Sequence, residues 1–130
     1  MFTDVLTVLY VVDIERAVAL YRDAFGMIES YRFPRQGVPE HVELKLASSV
    51  LGISSDAGLV SHGMPPATRG NPFELAFGTD DADAAFAKLV TAGCKPLRAP
   101  FDSSAGNRVA YVEDFDGNRI SVFSSIRQAT

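Results

Sequence analysis

The chain carries one unit twice. The first copy opens with Leu6-Thr7-Val8-Leu9-Tyr10-Val11-Val12-Asp13, continues through Ile14-Glu15-Arg16-Ala17-Val18-Ala19-Leu20-Tyr21 and reaches Phe25-Gly26. The second opens with Glu74-Leu75-Ala76-Phe77-Gly78-Thr79-Asp80-Asp81, continues through Ala82-Asp83-Ala84-Ala85-Phe86-Ala87-Lys88-Leu89 and reaches Gly93. A strand, an acidic turn, an amphipathic helix and a glycine stop recur in that order, 68 residues apart from Leu6 to Glu74. The expected architecture is a pair of pseudo-symmetric modules, and the place where they meet is where a site is to be sought.

The rest of the chain fills in that frame. Residues 5–12 form an almost unbroken apolar run, which predicts a strand buried on both faces. Asp13 is a helix N-cap candidate, and Ile14, Ala17, Val18, Tyr21 and Phe25 share one face of a helix over 14–25. Gly26 stops it. Strands are expected at 28–33, at 41–46, where apolar and polar residues alternate strictly, and at 50–53. Residues 54–72, rich in Ser, Gly and Pro, read as a linker. In the second module a helix over 81–92 places Ala82, Ala85, Phe86, Leu89 and Val90 on its core face. Strands follow at 95–99, 107–113 and 119–124, the last two joined by a turn through Gly117. The fold class is α+β: two tandem β-α-β-β-β modules, about 4–54 and 72–125, forming a cupped mixed sheet with helices outside, within one domain spanning 1–130.

Composition excludes several partners. A net charge of −4 with scattered basic residues does not suit a phosphate-binding surface, so no nucleic acid is expected. No apolar run approaches the ~20 residues of a membrane span, and the N-terminus lacks a signal-peptide pattern. The one cysteine, Cys94, cannot form an internal disulfide, and a cytoplasmic setting is expected. Following a helix-ending glycine, with only Lys95 as a basic neighbour, it reads as a buried structural residue. His62 reads as a surface histidine of the linker.

The tandem modules resemble the vicinal-oxygen-chelate superfamily, which includes glyoxalase I, extradiol dioxygenases, fosfomycin-modifying enzymes and bleomycin-resistance proteins. The resemblance rests on residues 9–26 and on Tyr111-Val112-Glu113-Asp114-Phe115-Asp116-Gly117-Asn118-Arg119-Ile120. The latter is similar to the family's Asp-Pro-Asp-Gly-Asn hairpin, with Phe115 where proline is usual. The resemblance implies that each module curls its sheet into half a cup. It also implies a divalent metal in catalytic members, held by side chains of the first and last strands of each module. Those positions fall here on Leu6, Gly52, Glu74 and Ser121. Leu6 and Gly52 carry no donor atom and Ser121 is a weak ligand, so no metal and no cofactor are expected. A competing set is His41 and Glu43, two residues apart on one strand face, joined by Glu74; the plainer reading is a solvated polar face.

Strand parity gives a ligand-binding lining of Leu6, Val8, Tyr10, His41, Glu43, Gly52, Glu74, Ala76, Arg108, Ser121 and Phe123. Ala110 falls beside Arg108, and Gly52, Ala76, Gly78 and Ala110 leave room in a pocket or oppose large residues in a filled core. Arg108 is the candidate partner of Glu74, whose carboxylate is costly to bury alone. The leading expectation is metal-independent sequestration of a small organic ligand, aromatic and cationic, of the bleomycin-resistance type, by a homodimer as the resemblance implies. The competing expectation is a glyoxalase-type lyase, isomerase or dioxygenase, with Glu74 as base or a non-standard metal site.

Overall fold

The structure, a computed structural model, describes residues 1–125; the expected extent of 1–130 includes 126–130, which lie outside the described residues. The chain divides into two compact units, the first Met1–Thr68 and the second beginning at Arg69. Each unit holds a four-stranded mixed sheet with helix packed on one face, so the fold is α+β in two repeated modules.

In the first unit, β1 (Thr7–Val11) leads to α1 (Ile14–Asp23), β2 (Ile28–Phe33), β3 (His41–Leu46) and β4 (Ser49–Ser55). The strand order is β1-β4-β3-β2, with β1 parallel to β4 and the other pairs antiparallel. The Asp13 carboxylate accepts from the Arg16 N–H at 3.1 Å, satisfying one of the free donors that open a helix. At the other end the Met27 N–H returns to the Tyr21 carbonyl, which Gly26 permits at φ 77°. The face of α1 carrying Ala17, Val18 and Tyr21 buries itself against Val42, Leu44 and Ile53 of the sheet. Each of these larger side chains contributes about 1.5–3 kcal/mol of transfer free energy, an upper bound because unfolded chains are not fully exposed.

The second unit repeats the plan as β5 (Leu75–Gly78), α3 (Ala82–Thr91), β6 (Lys95–Asp102), β7 (Asn107–Glu113) and β8 (Arg119–Ser125). Its order is β5-β8-β7-β6, the same topology as the first. Asp81 caps α3 as Asp13 caps α1, accepting from the Ala84 N–H at 3.1 Å. Ile120, Val112 and Ala110 form the fully buried sheet face under α3. Asp114 holds the β7–β8 turn, accepting from the backbone N–H groups of Asp116 and Asn118 and from Asn118 Nδ2 at 2.8–2.9 Å.

Three expectations change. β1 is shorter than 5–12 and is buried on one face, with Leu9 and Val11 in the core and Val8 and Tyr10 half-buried. An apolar run alone does not tell a strand buried on both faces from one whose second face lines a cleft. Residues 54–72 are not all connection: β4 runs on to Ser55, and α2 (Asp56–Ser61) follows, capped by Ser55 Oγ, which accepts from the Gly58 N–H at 3.0 Å. The Ser-Asp pair that looked like loop chemistry is an N-cap. Val90 is 36% exposed, off the core face of α3.

Candidate functional site

Register builds the site in the first unit. Phe33 pairs with His41, His41 with Ser54, and Ser54 with Tyr10, so one row of side chains crosses all four strands. Because alternate residues point the same way, this row projects from the face opposite the Val42–Leu44–Ile53 core. The row and α2 enclose a cleft of about 350 Å³. Tyr10 and Phe33 supply aromatic surface, Leu59 of α2 adds aliphatic surface, and Glu40, His41, Ser54 and His62 supply polar atoms.

α2 is seated by backbone contacts. The Ser55 N–H donates to the Glu40 carbonyl at 3.0 Å, and a Cβ on Gly58 would meet Glu40 Cβ at 3.2 Å. A glycine is therefore what lets the helix lie against Glu40. The Glu40 carboxylate stands at the rim, accepting from Ser61 Oγ at 3.3 Å, with His62 Nε2 3.8 Å away.

Within the cleft, His41 bridges two groups. Its Nδ1 lies 2.7 Å from Ser54 Oγ and its Nε2 2.9 Å from Glu43 Oε2. An ionised carboxylate only accepts, so Nε2 carries the proton. In the neutral ring Nδ1 then has a free lone pair and accepts from the Ser54 O–H. The ring reaches both partners because residue 52, two before Ser54 on β4 and paired with Glu43, has no side chain: a Cβ there would sit 3.0 Å from His41 Cε1, 3.1 Å from Val8 Cγ2 and 3.2 Å from Leu6 Cδ2. Gly52 does not leave space for a ligand. Its space is filled by Leu6, Val8 and His41, and that filling holds the ring.

The expected lining thus divides. Leu6, Val8, Tyr10, His41, Glu43 and Gly52 come together on one face of the first unit. Ala76, Gly78, Ser121 and Phe123 share one face of the second, where the Phe123 ring covers Gly78 at 3.3 Å. Glu74 is exposed and lies just before β5. Arg108 and Ala110 do not belong to the lining. Arg108 donates to Asp83 of α3 at 2.9 and 3.0 Å and to Asp102 at 3.0 Å, and Ala110 is fully buried on the same helix-covered face. These bonds hold the Arg108 guanidinium protonated and keep the Asp83 carboxyl below its ordinary range. Arg108 is therefore committed to Asp83 and Asp102 and not to Glu74.

Ser54, Phe33, Glu40 and Leu59 join the cleft although the expected lining does not include them. The expected strand stops at Ile53, but β4 runs to Ser55 and Ser54 has the parity of Gly52, so one more step of the alternation reaches it. His62 lies at the cleft but remains 70% exposed.

A metal does not fit the residues that the family resemblance assigns to it. Leu6 and Gly52 offer no donor atom, and the space over Gly52 is occupied by carbon atoms. Among the described residues no group of three or more His, Cys, Asp or Glu side chains gathers as a ligand set. Among them, too, no helix is long and apolar enough to cross a membrane.

Comparison with known proteins covers nearly the whole chain. The sequence model of the Glyoxalase/Bleomycin resistance protein/Dioxygenase superfamily matches residues 5–122. A glyoxalase/bleomycin resistance protein/dioxygenase family enzyme from Burkholderia phytofirmans PsJN superposes with a TM-score of 0.81 at 20% identity, covering 93% of this chain and 97% of that one. TioX from Micromonospora sp. ML1 gives 0.72 at 20% identity, covering 96% and 100%. Lactoylglutathione lyase from Agrobacterium tumefaciens gives 0.69 at 21% identity, covering 94% and 92%. At these identities the structural likeness concerns the fold. A search of curated proteins returned no significant match.

Proposed function

The chain belongs to the Glyoxalase/Bleomycin resistance protein/Dioxygenase superfamily, and from that premise we propose that it binds a small organic ligand, without metal, in the cleft of its first unit. The observation that carries this reading is the fate of the family's metal position. Where a first-unit ligand would project, Gly52 is packed over by Leu6, Val8 and His41, while an open cleft lies one row away. Mostly apolar walls with a few placed polar groups are the composition of a small-molecule site.

The lining favours an aromatic, cationic molecule. Tyr10 and Phe33 offer ring faces, and a cation over such a ring gains about 0.5–2 kcal/mol depending on its desolvation. Glu40 adds a carboxylate at the rim, and Ser54 and His41 add hydrogen-bonding atoms inside.

A simple probe of this chemistry is the benzyltrimethylammonium ion, applied to protein treated with EDTA. A ligand that binds only the folded state raises the melting temperature. The reading expects a saturable rise, lost in Tyr10→Ala and reduced in Glu40→Gln. A rise produced by zinc, nickel, manganese or iron(II) and absent with the organic cation would refute it.

A further inference from the structure

Ser54, His41 and Glu43 form a continuous hydrogen-bonded chain, 2.7 Å and then 2.9 Å, that ends on a serine hydroxyl in an open cleft. We propose that this chain makes Ser54 an acyl-accepting nucleophile, with His41 as its base and Glu43 as the positioning residue that fixes the ring, acting on small esters with an aromatic leaving group. The proposal rests on reading the cleft as open to small molecules. It adds a chemical step to what binding alone requires. The pattern is the general one of nucleophile, base and orienter within hydrogen-bond reach.

Three features of the first unit support it. The register Ser54↔His41 places nucleophile and base side by side on adjacent strands, which hold position better than loops. Glu43 fixes the tautomer: with Nε2–H donated to the carboxylate, the Nδ1 lone pair faces the Ser54 hydroxyl. Gly52 leaves the ring room to take this position, since a Cβ there would lie 3.0 Å from His41 Cε1. In the reaction the Ser54 oxygen forms a bond to the acyl carbon and its proton passes to His41 Nδ1. The bond from that carbon to the leaving phenolate breaks, the pair departing on the phenolate, which takes the proton. Water then reacts in the reverse sense. Its oxygen bonds to the acyl carbon, its proton goes to His41, and the Ser54 oxygen leaves with the bonding pair and recovers the proton. The sum is ester plus water to acid plus phenol. β4 is paired along both edges, so its backbone N–H groups are committed to the ladders, which restricts the substrate to activated esters.

The test is p-nitrophenyl acetate with the full chain, reading p-nitrophenolate release and, by peptide mapping, the residue that gains an acetyl group. The expected result is a burst with the acetyl group on Ser54, and Ser54→Ala slowing release by ~10²-fold or more. Ser54→Cys should restore labelling at the same position, which covers the case of an Ala variant that folds poorly. Glu43→Gln should lower the acylation rate by ~10²-fold or more with KM unchanged, since the carboxylate charge that stabilises the imidazolium is lost. Acetylation at a lysine or histidine instead, or an unchanged rate in Ser54→Ala, would overturn the proposal. The benzyltrimethylammonium shift, measured beside acylation on the unaltered protein, separates the two readings. If it persists without acylation, the nucleophile reading fails alone. If Ser54 is acylated but the cation gives no shift, the binding reading fails alone.

Discussion

Gly52→Ala is the substitution that most directly strains the site. Gly52 lies in β4 without a left-handed backbone, so alanine meets no conformational penalty there. Taken alone, the exchange would stabilise by about 0.5–1 kcal/mol, because glycine has more freedom to lose on folding. Against this stand the three carbon atoms at 3.0, 3.1 and 3.2 Å from the new methyl group. Leu6 is 37% exposed and its tip can turn away. Val8 is β-branched and stiff at χ1. The His41 ring is held at both nitrogens and cannot move without releasing Ser54 or Glu43. Overpacking of this kind costs about 1–3 kcal/mol. Sterics therefore win by up to about 2.5 kcal/mol with a midpoint near 1, and at that midpoint Tm falls by roughly 3–5 °C for a chain of this size. Thermal unfolding followed by circular dichroism reads this directly. Gly70→Ala, with nothing within 4 Å and no left-handed backbone, serves as the control and should gain about 0.5–1 kcal/mol from the entropy term alone. In the double variant with His41→Ala, part of the loss should disappear, giving a coupling of ~0.5 kcal/mol or more. A Gly52→Ala protein as stable as the parent, with no coupling to position 41, would refute the packing argument.

Three further predictions follow from the same structure. Asp114→Ala removes the acceptor of three hydrogen bonds in the β7–β8 turn and should destabilise by about 2–3 kcal/mol, read by urea unfolding; a loss below half of that would show the turn to be held otherwise. The bidentate bond from Arg32 keeps the Glu29 carboxyl below its ordinary 4.5, so its contribution is full above that value and is lost as the pH falls through the lowered native one. Glu29→Gln should accordingly be about 0.5–1 kcal/mol less stable at neutral pH, with the difference vanishing in acid; a difference independent of pH would contradict this. Burial, and secondarily the Asp114 carboxylate, push the Cys94 thiol up to about 11 from 9.0. Native protein at pH 8 should react with iodoacetamide at least ~10²-fold more slowly than the denatured chain, by mass spectrometry, and equal rates would place the thiol outside the core.

How much of this was legible in the sequence depends on the range of the information. The cap at Asp13, the glycine stops and the hairpin through Asp114 are local, and composition and spacing located them; the expected second-module helix begins at Asp81, whereas that residue is the cap of α3. The repeat gave the β-α-β-β-β order of each module and its mixed sheet, but neither the strand order nor α2. What the sequence did not place was side-chain direction across strands. Arg108 has the strand parity of Ala110, but parity does not say which face the helix covers, and two acidic residues claimed the guanidinium from that side. Gly52 looked like an opening because a missing side chain reads as space. In the folded unit three neighbours close over it, and the opening moves one row along, to Ser54. That displacement needs the register of β1, β3 and β4 together, which no single segment contains.

The most direct test of the central claim is a chemical-shift titration of EDTA-treated protein with benzyltrimethylammonium, followed at the backbone amides. The account predicts saturable shifts concentrated at Glu40, His41, Ser54 and Leu59, unchanged when divalent metal is added back. Shifts that arise only after metal is added, or that fall away from this row of β3 and β4, would contradict it.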